Sequence, residues 1–386
     1  MLKLPSYINV LNPENIPCIG QALQLGTCNE FGRALEVIED DKSVSAEFVR
    51  GCLSLNAGHK EEALCSFRAV IRDPEGHFLA PALSDYITAT TREAAKMYGG
   101  NEFSKYFQAA VNTPVFTRSH RIVNNTMLSM PPLGEDTFII VDIGIGTAIQ
   151  IEKMVACIAR EWPWMRHVKV IGIEPYEEMM KIASEKLRLL SAHANGHLSI
   201  SYKLIEEFAQ NLDGSFLRPL LDGKRPHLVN ASASMHHMPK ADKIKLMKTI
   251  REWQPKMFIV NDADSEHDID LPDLSITLIA NVTSFYNELF AYMASGTHDA
   301  SLLQLYKGFV FLDARNIIAE TGDKRIEFHT SAGNWVQYAN QAGFKIVKPK
   351  SEWIAGIPSE FVRETEDYIV TAYYKRPLTF QLVLET

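Results

Sequence analysis

The period of the hydrophobic pattern changes near residue 130. Upstream, Phe31, Ala34, Leu35 and Ile38 recur at the spacing of one helix face, and roughly the first 125 residues read as helices. After the break Met130-Pro131-Pro132-Leu133-Gly134, short runs rich in β-branched residues alternate with amphipathic stretches. Strands are predicted at 137–143, 168–173, 198–205, 226–231 and 257–260. Between them, Ile151, Met154, Val155, Ile158 and Trp162 form one helical stripe, Met179, Met180, Ala183, Leu187 and Leu190 a second, and Ile244, Met247, Ile250 and Trp253 a third. This alternation predicts an α/β fold, with a mostly parallel sheet and helices on both faces. A largely helical insertion is expected at about 270–319, after strand five, and the tail returns to strands at 344–347, 367–374 and 379–384.

Two upstream features refine the helical reading. The stretch 45–74 places Gly51, Ala63, Phe67 and Pro74 at or near the positions of one tetratricopeptide-type hairpin. Such repeats need about three copies to bury a continuous core, and no second copy is evident, so a local helical hairpin is expected. The apolar window 274–293 carries Asn281, Asn287 and Glu288, which argues for a buried helix and against a membrane span.

Charge narrows the partners. With 39 basic and 47 acidic side chains among 386 residues, the chain has a formal charge of −8, and no Lys/Arg cluster dominates any region. That balance excludes the basic footprint of a nucleic-acid binder. The five cysteines, Cys18, Cys28, Cys52, Cys65 and Cys157, are widely spaced and form no C-x-x-C pair. They read as reduced thiols of a cytoplasmic protein. No basic region followed by an apolar run opens the sequence, so no signal peptide is expected.

The segment with the most chemistry is Val141-Asp142-Ile143-Gly144-Ile145-Gly146-Thr147-Ala148, where the first strand gives way to a helix. Glycines there let a ligand approach the backbone, and the following helix N-terminus offers N–H groups. A dinucleotide site wants glycine or alanine at the third motif position, which here is the branched Ile149. The D-x-G-x-G pattern instead resembles motif I of the class I S-adenosylmethionine-dependent methyltransferases. The resemblance continues. Glu174-Pro175 ends the second strand 32 positions after Asp142, where that family places the carboxylate that accepts the ribose hydroxyls. Met179 lies in the matching second helix, and Glu206, Glu207 and Phe208 stand where the family contacts adenine. Asn230-Ala231-Ser232 leads into Met235-His236-His237-Met238, similar to the family's segment after strand four. The resemblance implies a Rossmann-like methyltransferase sheet. It also implies S-adenosyl-L-methionine as cofactor, held by Asp142, Gly144, Ile145, Gly146, Thr147, Glu174, Pro175, Met179, Glu206, Glu207, Phe208, Asn230, Ala231 and Ser232.

The residues themselves leave alternatives. Asp142 and Glu174 are able to cap helices, but two acids at the carboxyl ends of adjacent strands favour ligand contact. The His236-His237 pair either packs the next helix or meets substrate. No third ligand lies at metal-site spacing, so zinc is not expected. Asn261, Asp262, Asp264, Glu266 and His267 form a polar cluster after strand five, for which a solvated loop is the commoner explanation.

A second resemblance covers parts that generic methyltransferases leave unexplained. Residues 106–127, with Phe116-Thr117-Arg118-Ser119-His120 and Asn124-Asn125, resemble the helix before the first strand in GRAS-domain proteins. Residues 320–344, with Arg325, Trp335 and Ala342-Gly343-Phe344, are similar to that family's segment before its sixth strand. Tyr373-Tyr374-Lys375-Arg376-Pro377-Leu378 is similar to its W-x-x-R-P-L stretch, with Tyr in place of Trp. The family is a methyltransferase-like sheet with a helical cap. Its plant members are regulators that bind partner proteins, and its bacterial members look like small-molecule methyltransferases. The implied organisation is a helical cap at 1–125 and a methyltransferase-like domain at 126–386.

Because the chain keeps the glycine turn and Glu174, the resemblance implies an enzyme that moves a methyl group to an O or N atom of a small molecule. His236 is the expected base and His267 the second choice. Substrate contacts are expected from His120, Arg121, Asn124, His237, Asp262 and Tyr286. The alternative is a GRAS-like protein-binding module whose cofactor pocket is vestigial or regulatory. A base-methylating enzyme fits less well, because Asn230-Ala231-Ser232-Ala233 lacks the Asn/Asp-Pro-Pro-Tyr stretch. No membrane partner is expected, and a homodimer is left open.

Overall fold

The computed structural model describes residues 17–73, 77–89, 101–192, 198–268, 275–296, 299–320 and 322–386. Pro74 of the expected hairpin, residues 270–274 and 297–298 of the expected insertion, and with them Leu274 of the apolar window, lie outside them. Among the described residues seven helices come first: α1 (Pro17–Thr27), α2 (Phe31–Val37), α3 (Val44–Asn56), α4 (Lys60–Arg72), α5 (Ala80–Ile87), α6 (Asn101–Ala110) and α7 (Pro114–Leu128). Strands and helices then alternate as β1 (Thr137–Ile143), α8 (Ile149–Glu161), β2 (His167–Ile173), α9 (Glu177–Ala192), β3 (Ser199–Ile205), β4 (Leu228–Ser232), α10 (Lys240–Glu252) and β5 (Met257–Ala263). Two long helices, α11 (Ile276–Gly296) and α12 (Ala300–Ala319), precede α13 (Ala332–Ala342), β6 (Lys345–Ile346), β7 (Arg363–Glu364), β8 (Ile369–Tyr373) and β9 (Pro377–Glu385). Among the described residues no helix is long and apolar enough to cross a membrane.

The chain divides into two compact units, one formed by Met1–Met97 with Glu266–Glu327 and the other by Tyr98–Ser265 with Phe328–Thr386. Position 125, where the cap was expected to end, lies inside α7 of the second unit, and the insertion groups with the first.

The first unit is helical. Its α3–α4 hairpin closes tightly because Gly51 faces Phe67: a Cβ on Gly51 would lie 2.6 Å from that ring. These are two of the tetratricopeptide-like positions, and they make one hairpin. Phe48 stacks on His77 with ring centroids 3.7 Å apart, and full burial lowers the His77 pKa to about 3. Arg315 of α12, wholly buried, donates to Asp85 (Nε to Oδ2, 3.0 Å) and to the buried Glu320 (Nη1 to Oε1, 2.6 Å). An internal guanidinium is tolerable only with such pairing.

The second unit is a doubly covered sheet of order β3-β2-β1-β4-β5-β9-β8-β7, with β6 also on β9. β1 to β5 pair in parallel, and β9 runs antiparallel to β5 and β8. Period-two alternation sends Ile139, Val141 and Ile143 into one core, with Leu246, Ile250 and Trp335, and Phe138 and Ile140 into the other, with Ile122, Met127, Met154 and Ile158. The chain therefore forms the α/β fold expected from its sequence, a mostly parallel sheet with helices on both faces.

Trp335 of α13 is fully buried, and its indole Nε1 has no hydrogen-bond partner among the described residues. Its Phe analogue gives up that unpaired N–H along with some volume. Trp335→Ala is expected to destabilise the sheet unit by about 3–5 kcal/mol and Trp335→Phe by clearly less, as read from urea unfolding curves. Equal losses would show that the indole N–H is satisfied in solution.

Candidate functional site

Between β1 and β4 the winding of the sheet changes direction, and in open α/β sheets ligands bind at the carboxyl ends of the strands at that point. The first expected cluster sits there. Asp142 and Asn230 are register partners on β1 and β4, and Asn230 Nδ2 donates to Asp142 Oδ1 at 2.7 Å. Ser232 Oγ donates to Asn230 Oδ1 at 3.0 Å. Asp142 is 3% exposed. Burial raises its pKa to about 7, the Asn230 hydrogen bond opposes that rise, and the nearby Glu174 charge adds to it.

The turn after β1 is fastened to the end of β2: Gly144 N and Ile145 N both donate to Ile173 O, at 2.8 and 3.1 Å. Gly144 and Gly146 have φ of +71° and +53°, a region glycine enters without strain. A Cβ on Gly144 would come 2.5 Å from Ser234 Cβ. Helix α8 then starts behind Ala148, which provides no side-chain cap. Its first N–H groups thus have no internal partner and face the anion-favouring end of the helix dipole. Ile145 and Thr147 are buried, and the Ile145 side chain belongs to the core.

Glu174, 5% exposed, is held from both sides. Gly146 N donates to its Oε2 at 3.0 Å and Tyr176 N to its Oε1 at 3.2 Å. Burial raises its pKa, while the two backbone N–H groups and the His237 imidazole pull it down. A carboxylate has about four acceptor positions, so two remain for hydroxyl donors. Pro175 is half-buried beside it and Met179 is buried in α9. Phe208, 47% exposed, stands edge-on to Tyr176 with centroids 6.4 Å apart. Glu207 Oε1 takes the N–H of Phe208 and the amide of Asn211, which shapes that loop, and Glu206 is exposed. Ala231 is fully buried within β4.

The histidine pair lies in a short turn after β4, with rings 4.1 Å apart. Asp262, buried on β5, accepts from His236 N (3.1 Å) and pairs with His236 Nδ1 (2.6 Å). Burial pushes the Asp262 carboxyl up, but the His236 imidazole and its hydrogen bond, His329 and the Ala263 N–H together hold it below its ordinary value. An ionised carboxylate only accepts, so Nδ1 carries the proton and Nε2 is the basic nitrogen of that tautomer. Asn261 and Asp262 thus belong to β5, where Asn261 pairs with Gln381 of β9. This corrects the solvated-loop reading for those two residues.

The other candidates are placed differently. His120 of α7 is buried, its Nδ1 lies 3.1 Å from Lys153 Nζ, and burial, then Lys153, lowers its pKa to about 3. Gln150 donates to the His120 carbonyl (3.4 Å) and to Asn124 Oδ1 (3.0 Å), so both side chains face α8. Arg121 is exposed, with its guanidinium beside Gly356. His267 and Tyr286 belong to the helical unit, where both are buried, their rings stacked 6.1 Å apart.

Three residues near the expected site escaped the motif reading. Phe107 of α6 places its ring 3.2 Å from where a Gly146 Cβ would be. Ser234 is 8% exposed, and its Oγ has no hydrogen-bond partner among the described residues. His329 stands edge-on to His236 at 4.9 Å. A close cradle at Gly144 and Gly146, a doubly held acid and an orphaned hydroxyl beside the turn fit a ligand that carries a diol and a cation.

The model of the GRAS domain family matches residues 77–367. The chain belongs to the GRAS domain family. No curated protein matches it by sequence. Among solved structures it is similar to SCL7 of Oryza sativa, at 15% identity over 95% of this chain and 99% of that one, with a TM-score of 0.67. Lower similarity, with a TM-score of 0.41, extends to the plantazolicin methyltransferase BpumL in complex with SAH, at 12% identity over 76% of this chain and 93% of that one. The same score is reached with the magnesium protoporphyrin IX methyltransferase of Synechocystis PCC 6803 with bound SAH, at 9% identity over 75% and 97%. The GRAS match spans the segments 106–127 and 320–344 of the second resemblance and the whole glycine-turn site, and ends before Tyr373–Leu378.

The raised Asp142 pKa gives a pH test. Its folded value of about 7 exceeds the ordinary 3.8, so the native state favours the protonated carboxyl, and this contribution fades as pH rises through 7. Asp142→Asn keeps an acceptor for Asn230 and never ionises. Relative to the parent, it is expected to gain about 2–3 kcal/mol between pH 5 and pH 8, as read from thermal unfolding at both values. A pH-independent difference would rule out the buried-acid account.

Proposed function

We propose that this GRAS-family protein is an S-adenosylmethionine-dependent methyltransferase acting on an O or N atom of a small molecule. The observation that carries the reading is Glu174, a buried carboxylate presented by the N–H groups of Gly146 and Tyr176 beside a glycine turn with no room for a side chain. Glu174 would accept the two ribose hydroxyls, Asp142 would face the cationic part of the cofactor, and Phe208 offers an exposed ring for the adenine. The cofactor supplies a methyl group already activated on a sulfonium, so much of the catalytic work is positioning and water exclusion. Asp262 fixes the orientation and tautomer of His236, whose Nε2 would take the proton of a hydroxyl or ammonium acceptor.

The family match also favours a second reading, a partner-binding module, because it does not depend on cofactor turnover. The readings separate by experiment. Calorimetry of the whole chain with S-adenosylmethionine is expected to show saturable binding that Glu174→Ala weakens at least tenfold. His236→Ala is expected to leave that binding intact and to lower acceptor methylation about 10²–10⁴-fold. No binding at about millimolar cofactor, or none lost in Glu174→Ala, would remove the enzyme reading. A stoichiometric protein complex that survives Asp142→Ala and Glu174→Ala, without turnover, would establish the module.

A further inference from the structure

The end of the sheet opposite the glycine turn holds a cavity of about 650 Å³, within the range of small-molecule sites. It opens where the strands begin: Glu135 precedes β1, Arg225 precedes β4 and Lys256 immediately precedes β5. Strands of this length put it roughly 20 Å from Asp142 and Glu174.

Its charges are unbalanced. Lys256 is ion-paired with Glu135, which also accepts from His227 Nε2 at 2.8 Å, so that carboxylate is neutralised by Lys256 and further held by a hydrogen bond. Both partners hold Glu135 below its usual range, the Lys256 hydrogen bond most strongly. The wall also carries Arg218, Lys224 and Arg225, and none of the three has an ion-pair partner among the described residues. Arg218 and Lys224 act on Asp213 and Asp222 only at longer range, and Asp222 is already paired with Lys169 at 2.7 Å. Against these three cations stands one uncommitted carboxylate of the wall, Glu252, which lies over Gly214. The excess is two positive charges in a chain whose net charge is −8. Two guanidiniums suit the bidentate, fork-shaped recognition of phosphate oxygens. Trp253 adds aromatic wall, and the volume exceeds what a bare phosphate fills.

We propose that this cavity is a second ligand site, for a phosphorylated small molecule of about mononucleotide size, with Arg218, Lys224 and Arg225 holding the phosphate. The site is independent of the cofactor reading. All three cations are exposed, so their removal leaves the core intact.

Calorimetry of the whole chain in about 0.1 M salt, with inorganic pyrophosphate and with ADP, tests it. Both probes are expected to bind saturably, to weaken as salt is raised, and to lose at least tenfold in affinity in the Arg218→Ala/Arg225→Ala double variant. Binding is expected to be unchanged in Glu174→Ala. Thermal unfolding of the double variant should match the parent. No saturable binding at millimolar probe overturns the proposal, as does binding that the double substitution leaves untouched. Loss of binding in Glu174→Ala would assign the probes to the glycine-turn site and overturn it equally.

Discussion

The hydrogen bond from Asn230 to Asp142 spans the one place in the sheet where winding reverses. From β1 the chain goes outward to β2 and β3, and then returns past β1 to lay down β4 and β5. The two directions separate the turns that leave β1 and β4, and the gap between them is the crevice. Closing it with apolar side chains would give a better core and no site. Instead the sequence places a buried acid and a buried amide there, and burial raises the Asp142 pKa to about 7.

Other features of the crevice follow from that gap. The turn after β1 has to clear the turn after β4, and Gly144 does so because Ser234 Cβ occupies the space its own Cβ would need. The same turn has to meet the end of β2, and Gly144 and Ile145 donate to Ile173 there. Glu174 comes next in the chain, so its carboxylate reaches back to Gly146 N without any long-range packing. Strand ends, glycine conformation and acid placement form one linked constraint, which is why so few residues define the cleft.

That linkage also explains what was legible in the sequence. β1 to β4 and the Asp142–Glu174 cluster are local: short runs of apolar residues ending in glycine or an acid state both strand and site. The extent of β5 was not legible. Asn261, Asp262 and Ala263 look like the start of a polar loop, yet they pair with Gln381, Phe380 and Thr379 more than a hundred positions away. A ladder closed over that distance leaves no local period. His120 and Asn124 show the converse. Polar groups on an otherwise apolar helix face read as ligand contacts, but Lys153 and Gln150 of the next helix in the chain meet them. Phe107, Ser234 and His329 reach the turn and the histidine only through folding, and no spacing in the chain marks them. The helical period of α7 was equally correct and equally silent about which unit the helix joins.

Net charge behaves in the same way. A total of −8 describes the chain, but a ligand senses charges within about a Debye length, near 8–10 Å in physiological salt. The sheet is longer than that. Its carboxyl end gathers Asp142, Glu174 and Asp262, and its amino end gathers Arg218, Lys224 and Arg225, with parallel strands of up to seven residues between them. Each end therefore presents its own field. An acidic crevice and a basic cavity are compatible in one unit because the sheet keeps them apart.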